Sequence, residues 1–217
     1  MTTGLLSDVH QYADDTSLLI TVNDPLSALH IINHDLVILQ KWADQWRVTF
    51  NPSKTNFMTL SLKKPRQAPI PITWNNVAIE ENTEFSILGV TIVNDMTWGS
   101  HILKLISKAS KRLYVLRKYR DILPRKALET IYISMIRPIL EYGDVLYNSM
   151  PLSTGRLLEN IQRQAAIICS GAYRHTSYEK LLSELGWESL STRRQNHKLI
   201  IFYKIFHHIY PNYLYNC

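Results

Sequence analysis

Between Trp98 and Gly99 the hydrophobic rhythm of this chain changes, and that change limits its architecture more than any single residue does. Downstream, apolar residues recur at alternating steps of three and four: Ile102, Ile106, Ala109, Leu113 and Leu116 follow that spacing, while Lys104, Lys108 and Lys111 lie on the other side. Such spacing predicts amphipathic helices, each burying one stripe. Upstream, short apolar stretches are separated by turn residues, with one long helical pattern among them. Strands confined to the first half and helices filling the second imply an α+β chain, with a boundary in the "NDMTWGS" stretch that separates residues 1–98 from 99–217.

In the first half, "HQYADDTSLLI" reads as two short strands joined by a tight turn, with Asp14 and Asp15 at the tip. "NDPLSALHIINHDLVILQKWADQW" predicts a helix capped by Asn23 or Asp24, with Pro25 at its first position. Leu29, Ile32, Leu36, Leu39, Ala43 and Trp46 form its apolar stripe, and Trp42 and Trp46 read as core residues. "FNPSKT" is a turn, after which Met58, Leu60 and Leu62 alternate with polar residues as in a half-buried strand. "PITWNNVAIE" predicts two short strands about an Asn75–Asn76 turn. "EFSILGVTIV" predicts one further apolar strand, in which Gly89 marks a bulge or a close backbone approach.

The second half continues as helices punctuated by Pro124 and Pro138, with Gly171 and Gly186 each placed just past a helix end. Between Gly99 and Lys126 stand nine Lys or Arg residues against one acid, Asp121. Over all 217 residues the formal charge is +6, which permits a polyanionic partner without demanding one. The two cysteines, Cys169 and Cys217, define neither a disulfide framework nor a metal pair, so a reducing compartment is expected. No stretch approaches the roughly 18 apolar residues of a membrane span. An intracellular protein of the cytoplasm or nucleus, not secreted and with no membrane partner, is the expectation. His10, His207 and His208 have no ligand-like spacing and read as packing or surface residues.

Two adjacent carboxylates at a hairpin tip suit a hard divalent cation, which prefers oxygen ligands. Aspartate is also an ordinary turn residue, and the pair alone leaves both readings open. Its context adds a resemblance. "YADD" between apolar strand residues resembles the metal-binding hairpin of reverse transcriptases. "WADQWRVTFNPSKTNFMTLS" resembles the helix, turn and lysine segment of non-LTR retrotransposon polymerases of the LINE type, such as Jockey or RTE-like elements. "FSILGVTIVNDMTWGSHI" resembles their primer-grip hairpin, and "MIRPILEYGDVLYNSM" with "LENIQRQAAIICSGAYRHTS" resembles their helical tail. These segments follow in the family's order.

The resemblance implies a partial polymerase palm over residues 1–98, of antiparallel strands with a long packed helix, and an all-helical thumb-like region and tail over residues 99–217. It implies that Asp14 ligates metal, that Asp15 supports it less directly, and that Tyr12 packs near template-primer and incoming nucleotide. Lys54 corresponds to the lysine that protonates the leaving pyrophosphate or orients the triphosphate; a surface lysine in a turn is the plain alternative. Leu88, Gly89 and Val90 correspond to the primer grip, or else to an ordinary core strand. Lys104, Lys108, Lys111 and Arg112 would track the backbone of a template-primer duplex, or else form a solvated helix face. The implied partners are an RNA template and a DNA primer, and the implied cofactor is magnesium, two ions in the family.

The chain departs from the family at one point. The partner aspartate expected on an earlier strand is not in the matched segments, and Asp8 lies on the hairpin's own arm. The expectation is therefore a fragment of an RNA-directed DNA polymerase, inactive alone and needing the remaining palm and fingers in trans. A non-enzymatic nucleic-acid-binding module and a functionless translated remnant are the competing readings.

Overall fold

A helix of 22 residues, α1 (Pro25–Trp46), organises the first of two compact units in the computed structural model, which describes residues 4–61 and 72–215. The first unit comprises Met1–Phe85 with Val93–Met96, and the second comprises Ser86–Ile92 with Thr97–Cys217.

The start of α1 is set locally. The Asp24 carboxylate accepts the Ser27 amide at 3.2 Å, and Pro25 takes the first helical position, where its missing N–H costs nothing. Leu36, Leu39 and Ala43 are buried, and Leu36 packs with Ile72, Trp74 and Ile79. Those three come from a hairpin of β3 (Ile72–Trp74) and β4 (Val77–Ile79). Asn75 and Asn76 both take positive φ, 50° and 62°, giving a two-residue turn whose twist matches the strands. Burial of each large side chain in this cluster contributes about 1.5–3 kcal/mol. The Trp74 indole also donates to Gln40 Oε1 at 3.0 Å, which ties the hairpin to the middle of α1. Trp46 departs from its expected core position and is 64% exposed. The stripe continues to the helix end, but the hairpin meets α1 around Leu36 and Gln40; Trp42 is the one ring packed beside Trp46 among the described residues, at 6.4 Å.

β1 (Asp8–Tyr12) and β2 (Asp15–Leu19) form a second antiparallel hairpin, in register from Asp8 opposite Leu19 to Tyr12 opposite Asp15. The strand expected at Met58–Leu62 is not formed at Met58–Ser61, and Leu62 lies outside the described residues. Phe57 makes an isolated bridge to Glu81 and Ser61 N–H bonds Asn94 C=O at 3.3 Å, so there is no continuous ladder to stabilise the alternation. The "EFSILGVTIV" stretch is two strands rather than one: β5 (Glu84–Ile87) and β6 (Val90–Val93) pair across Leu88 and Gly89. Both turn residues have positive φ, 49° and 80°, so Gly89 marks a turn and not a bulge.

The second unit is built on α2 (Gly99–Tyr119), α3 (Arg125–Ile131), α4 (Arg137–Leu140), α5 (Leu152–Ser170), α6 (Tyr178–Leu185) and α7 (Leu190–Phe206). Ile102, Leu105, Ala109, Leu113 and Leu116 of α2 face Leu158, Ile161 and Ala165 of α5 in one core, with Leu128, Tyr132, Ile136 and Leu140 from the segment between them. Leu105 is the buried residue at that turn, and Ile106 packs at the core's edge. Between α3 and α4 the helix widens into a π turn over Tyr132–Ile136, where the Arg137 amide reaches the Tyr132 carbonyl. The wider turn precedes Pro138, whose ring and missing N–H do not fit an ordinary helical turn. Gly171 and Gly186 close α5 and α6 in the left-handed conformation, at φ 69° and 64°. The architecture is α+β, with small antiparallel strand pairs and a helical second unit. Among the described residues no helix is long and apolar enough to cross a membrane.

Candidate functional site

The β1–β2 hairpin turns through two residues, Ala13 and Asp14, closed by Tyr12 opposite Asp15. Ala13 takes a φ of 52°, the positive value that primed hairpin turns use at their first position. Asp14 therefore sits in the turn and Asp15 opens β2; both are exposed, and Tyr12 beside them is 65% exposed. Two carboxylates projecting into solvent from so short a loop keep oxygen atoms available to a hard cation. Asp8 pairs with Leu19 at the end of the hairpin remote from the turn and does not join them. Among the described residues no group of three or more His, Cys, Asp or Glu side chains is placed to hold a metal ion.

The hairpin is anchored by a residue absent from the sequence expectations. Asp35 of α1 is fully buried and accepts the Ser7 amide at 2.9 Å, the Ser7 hydroxyl at 2.5 Å and the Leu6 amide at 3.0 Å; His34 Nδ1 donates to it at 3.0 Å. Ser7 immediately precedes β1, so this carboxylate fixes where the hairpin leaves the body of the unit. Burial alone would push its pKa up, but the Ser7, Leu6 and His34 hydrogen bonds outweigh that and hold it below the usual carboxylate range. A signal was present in the sequence: Asp35 falls in line with Ala28, Ile32, Leu39 and Ala43 along an apolar stripe, where a charge needs partners.

Lys54 ends a single 3₁₀ turn (Pro52–Lys54) and is exposed. Asn51 builds that turn, since its side chain accepts the Ser53 amide and its carbonyl accepts the Lys54 amide at 3.1 Å. Among the described residues Lys54 makes no ion pair, so no direct contact joins it to Asp14 or Asp15.

In the second unit the structure brings two sets of expected residues together. The Leu88 carbonyl accepts the Tyr142 hydroxyl, and a Cβ added at Gly89 would stand 3.4 Å from Tyr142 Cε1. A cleft of about 530 Å³ is lined by Gly89 together with Lys108, Arg112, Met135, Pro138 and Tyr142. Lys104 and Lys111 are exposed on the same helix but do not line it, and Val90 is half-buried against the Gly143 backbone. Leu88 and Gly89 thus form a turn, and Val90 alone of the three belongs to a strand. Met135 and Tyr142 were not singled out in the sequence; the fold of the π turn and α4 places them there. One residue on, the Thr91 amide donates to His101 Nδ1 at 3.2 Å, which leaves the proton of the neutral ring on Nε2, buried without a partner. Burial, then Lys108 and Lys104, depress the His101 pKa and favour that neutral form.

With these features the chain is similar in sequence to the RNA-directed DNA polymerases of non-LTR retrotransposons. It is 27% identical over 191 residues to the RNA-directed DNA polymerase from mobile element jockey of Drosophila melanogaster, covering 85% of this chain and 20% of that protein. Over 157 residues it is 25% identical to the probable RNA-directed DNA polymerase from transposon BS of the same species, covering 71% of this chain and 17% of that protein. It is 30% identical over 117 residues to the retrovirus-related Pol polyprotein from type-1 retrotransposable element R1 4 of Nasonia vitripennis, covering 52% and 29%. The chain spans about a fifth of the length of the Drosophila relatives it matches. No family model and no solved structure matches it.

Proposed function

We propose that this chain is part of a retrotransposon RNA-directed DNA polymerase, with residues 1–98 in the palm and residues 99–217 forming a thumb-like region and tail. The observation that carries this reading is the hairpin tip: the Tyr-Ala-Asp-Asp sequence sits on a two-residue turn with both carboxylates exposed, in a chain similar to such polymerases over 85% of its length. The donor set suits magnesium, since both ligands are hard oxygens. When bound, magnesium activates the primer 3′-hydroxyl and steadies the leaving oxygen in nucleotidyl transfer. Asp14 is the first ligand and Asp15 supports it. Tyr12 lines the path of template-primer and incoming nucleotide, and Lys54 orients or protonates the triphosphate. The Leu88–Gly89 turn and Val90 at the start of β6 approach the primer end, while Lys104, Lys108, Lys111 and Arg112 hold the phosphates of an RNA template paired to a DNA primer.

Two cations need carboxylates from more than one strand. The tip therefore holds one side of the site, with a further ligand supplied from elsewhere in the polymerase, so this chain by itself is catalytically silent. The test is a chimera in which this chain replaces the matching fifth of the jockey polymerase. RNA-templated primer extension in magnesium is expected, falling about 1000-fold or more with Asp14→Asn. An Asp14→Asn chimera that extends primers as well as its parent sinks the assignment.

A further inference from the structure

Four arginines converge on a second cleft, of about 620 Å³, at the C-terminal end of α2. Arg117 comes from the last turn of α2, and Arg120, three residues on, caps the end of that helix. Asn160, Arg163 and Gln164 come from one face of α5, and Arg174 comes from the segment after Gly171. All belong to the second unit. Among the described residues no carboxylate lines the cleft, and the single acid paired to one of its arginines is Asp121, 3.1 Å from Arg120. Four guanidiniums against one carboxylate leave three positive charges around a concave, partly apolar wall, an arrangement that concentrates anions.

Arginines near helix C-termini also serve the helix dipole, and that is the competing explanation. The hydrogen bonds argue against it as the whole account. Arg117 bonds the Gln164 side chain rather than a helix-end carbonyl. Arg163 donates to the carbonyls of Arg174 and Thr176, both at 3.2 Å, and so holds the closing segment in place. The Arg174 guanidinium has no hydrogen-bond or ion-pair partner among the described residues. Beside it Tyr173 is 89% exposed, the most exposed large aromatic among the described residues. Planar guanidinium forks match phosphate oxygens, and a bare aromatic ring at the rim matches a base that is free to stack.

The geometry points to this cleft as a binding site for a single-stranded stretch of nucleic acid, with phosphates held by Arg117, Arg120 and Arg174 and a base stacked on Tyr173. Asn160 and Gln164 supply neutral amides between them, and Arg163 positions the segment that carries Tyr173 and Arg174. None of these residues belongs to the hairpin or to the Gly89 cleft, so the site goes beyond the polymerase reading and stands apart from metal binding.

The test is fluorescence anisotropy of the full chain with a labelled 20-nucleotide RNA of unpaired sequence, in EDTA, over a range of salt concentrations. EDTA makes the outcome independent of whether Asp14 and Asp15 hold magnesium. The double variant Arg117→Gln/Arg174→Gln is expected to bind about tenfold or more weakly and to lower the salt slope by about 1.4, at roughly 0.7 per lost phosphate contact. Tyr173→Ala is expected to weaken binding by about tenfold with the slope unchanged, because stacking releases no counterions. Lys180→Gln/Lys198→Gln removes the same charge from exposed positions elsewhere and sets the background. Arg163 is left intact because its loss would free the closing segment. Equal losses from the two double variants, or parental affinity in Tyr173→Ala, overturn the proposal.

Discussion

Replacing Asp35 by alanine tests whether one buried carboxylate sets the position of the aspartate hairpin. Its removal deprives the buried Ser7 amide and hydroxyl of their acceptor at 2.9 and 2.5 Å. Each unsatisfied buried donor costs about 1–3 kcal/mol, whereas the Leu6 amide lies in a half-exposed position that water can reach. The sum for the two Ser7 donors is about 2–6 kcal/mol, which at a urea dependence of about 2 kcal/mol/M lowers the unfolding midpoint of the first unit by about 1–3 M. The assay is urea unfolding, paired with hydrogen exchange of the β1 and β2 amides, which should speed up because the strand loses its tether. Asp35→Asn, which keeps one acceptor oxygen, is expected to fall between parent and alanine variant. Since the folded pKa is lowered, this stabilisation is present above the unfolded value of about 3.8 and is lost as pH falls through the lower folded value. In Asp35→Asn that part of the acid sensitivity disappears. A midpoint in Asp35→Ala within about 0.3 M of the parent, at neutral pH, refutes the reasoning.

Gly89→Ala forces a side chain onto a φ of 80° within 3.4 Å of Tyr142, and a loss of about 1–3 kcal/mol is expected by thermal unfolding. His101 is buried as the neutral ring with a lowered pKa, so its contribution is present above about 6.5 and lost as pH falls below it. Urea midpoints at pH 7.5 and 5.5 should differ in the parent and converge in His101→Gln. Burial pushes the Cys169 thiol up to about 12, so maleimide labelling followed by peptide mapping should find it unmodified in native buffer and modified in urea.

Local physical chemistry made much of this chain legible from sequence alone. Asp24 and Pro25 announce α1, Gly171 and Gly186 close α5 and α6, and Asn75–Asn76 makes the β3–β4 turn, because each choice is settled within a few residues by φ preference or capping. The tip at Asp14 was legible for the same reason. Where a segment's state depends on a partner, sequence spacing misled: Met58–Ser61 alternates like a strand but lacks a continuous ladder, and Trp46 continues an apolar stripe beyond the hairpin that covers it.

Tertiary structure decided what lies far apart in the chain and close in space. Asp35 meets Ser7 across 28 residues, and Arg117 meets Gln164 across 47, and no local pattern announces either pairing. Gly89, read as a bulge or a close backbone approach in one strand, lies in a turn closely approached by Tyr142, whose hydroxyl bonds Leu88 across 54 residues. Periodicity tells which face of an element is buried; only the packed fold selects the element that covers it, because burial is a property of two surfaces and the sequence of one segment describes just one of them.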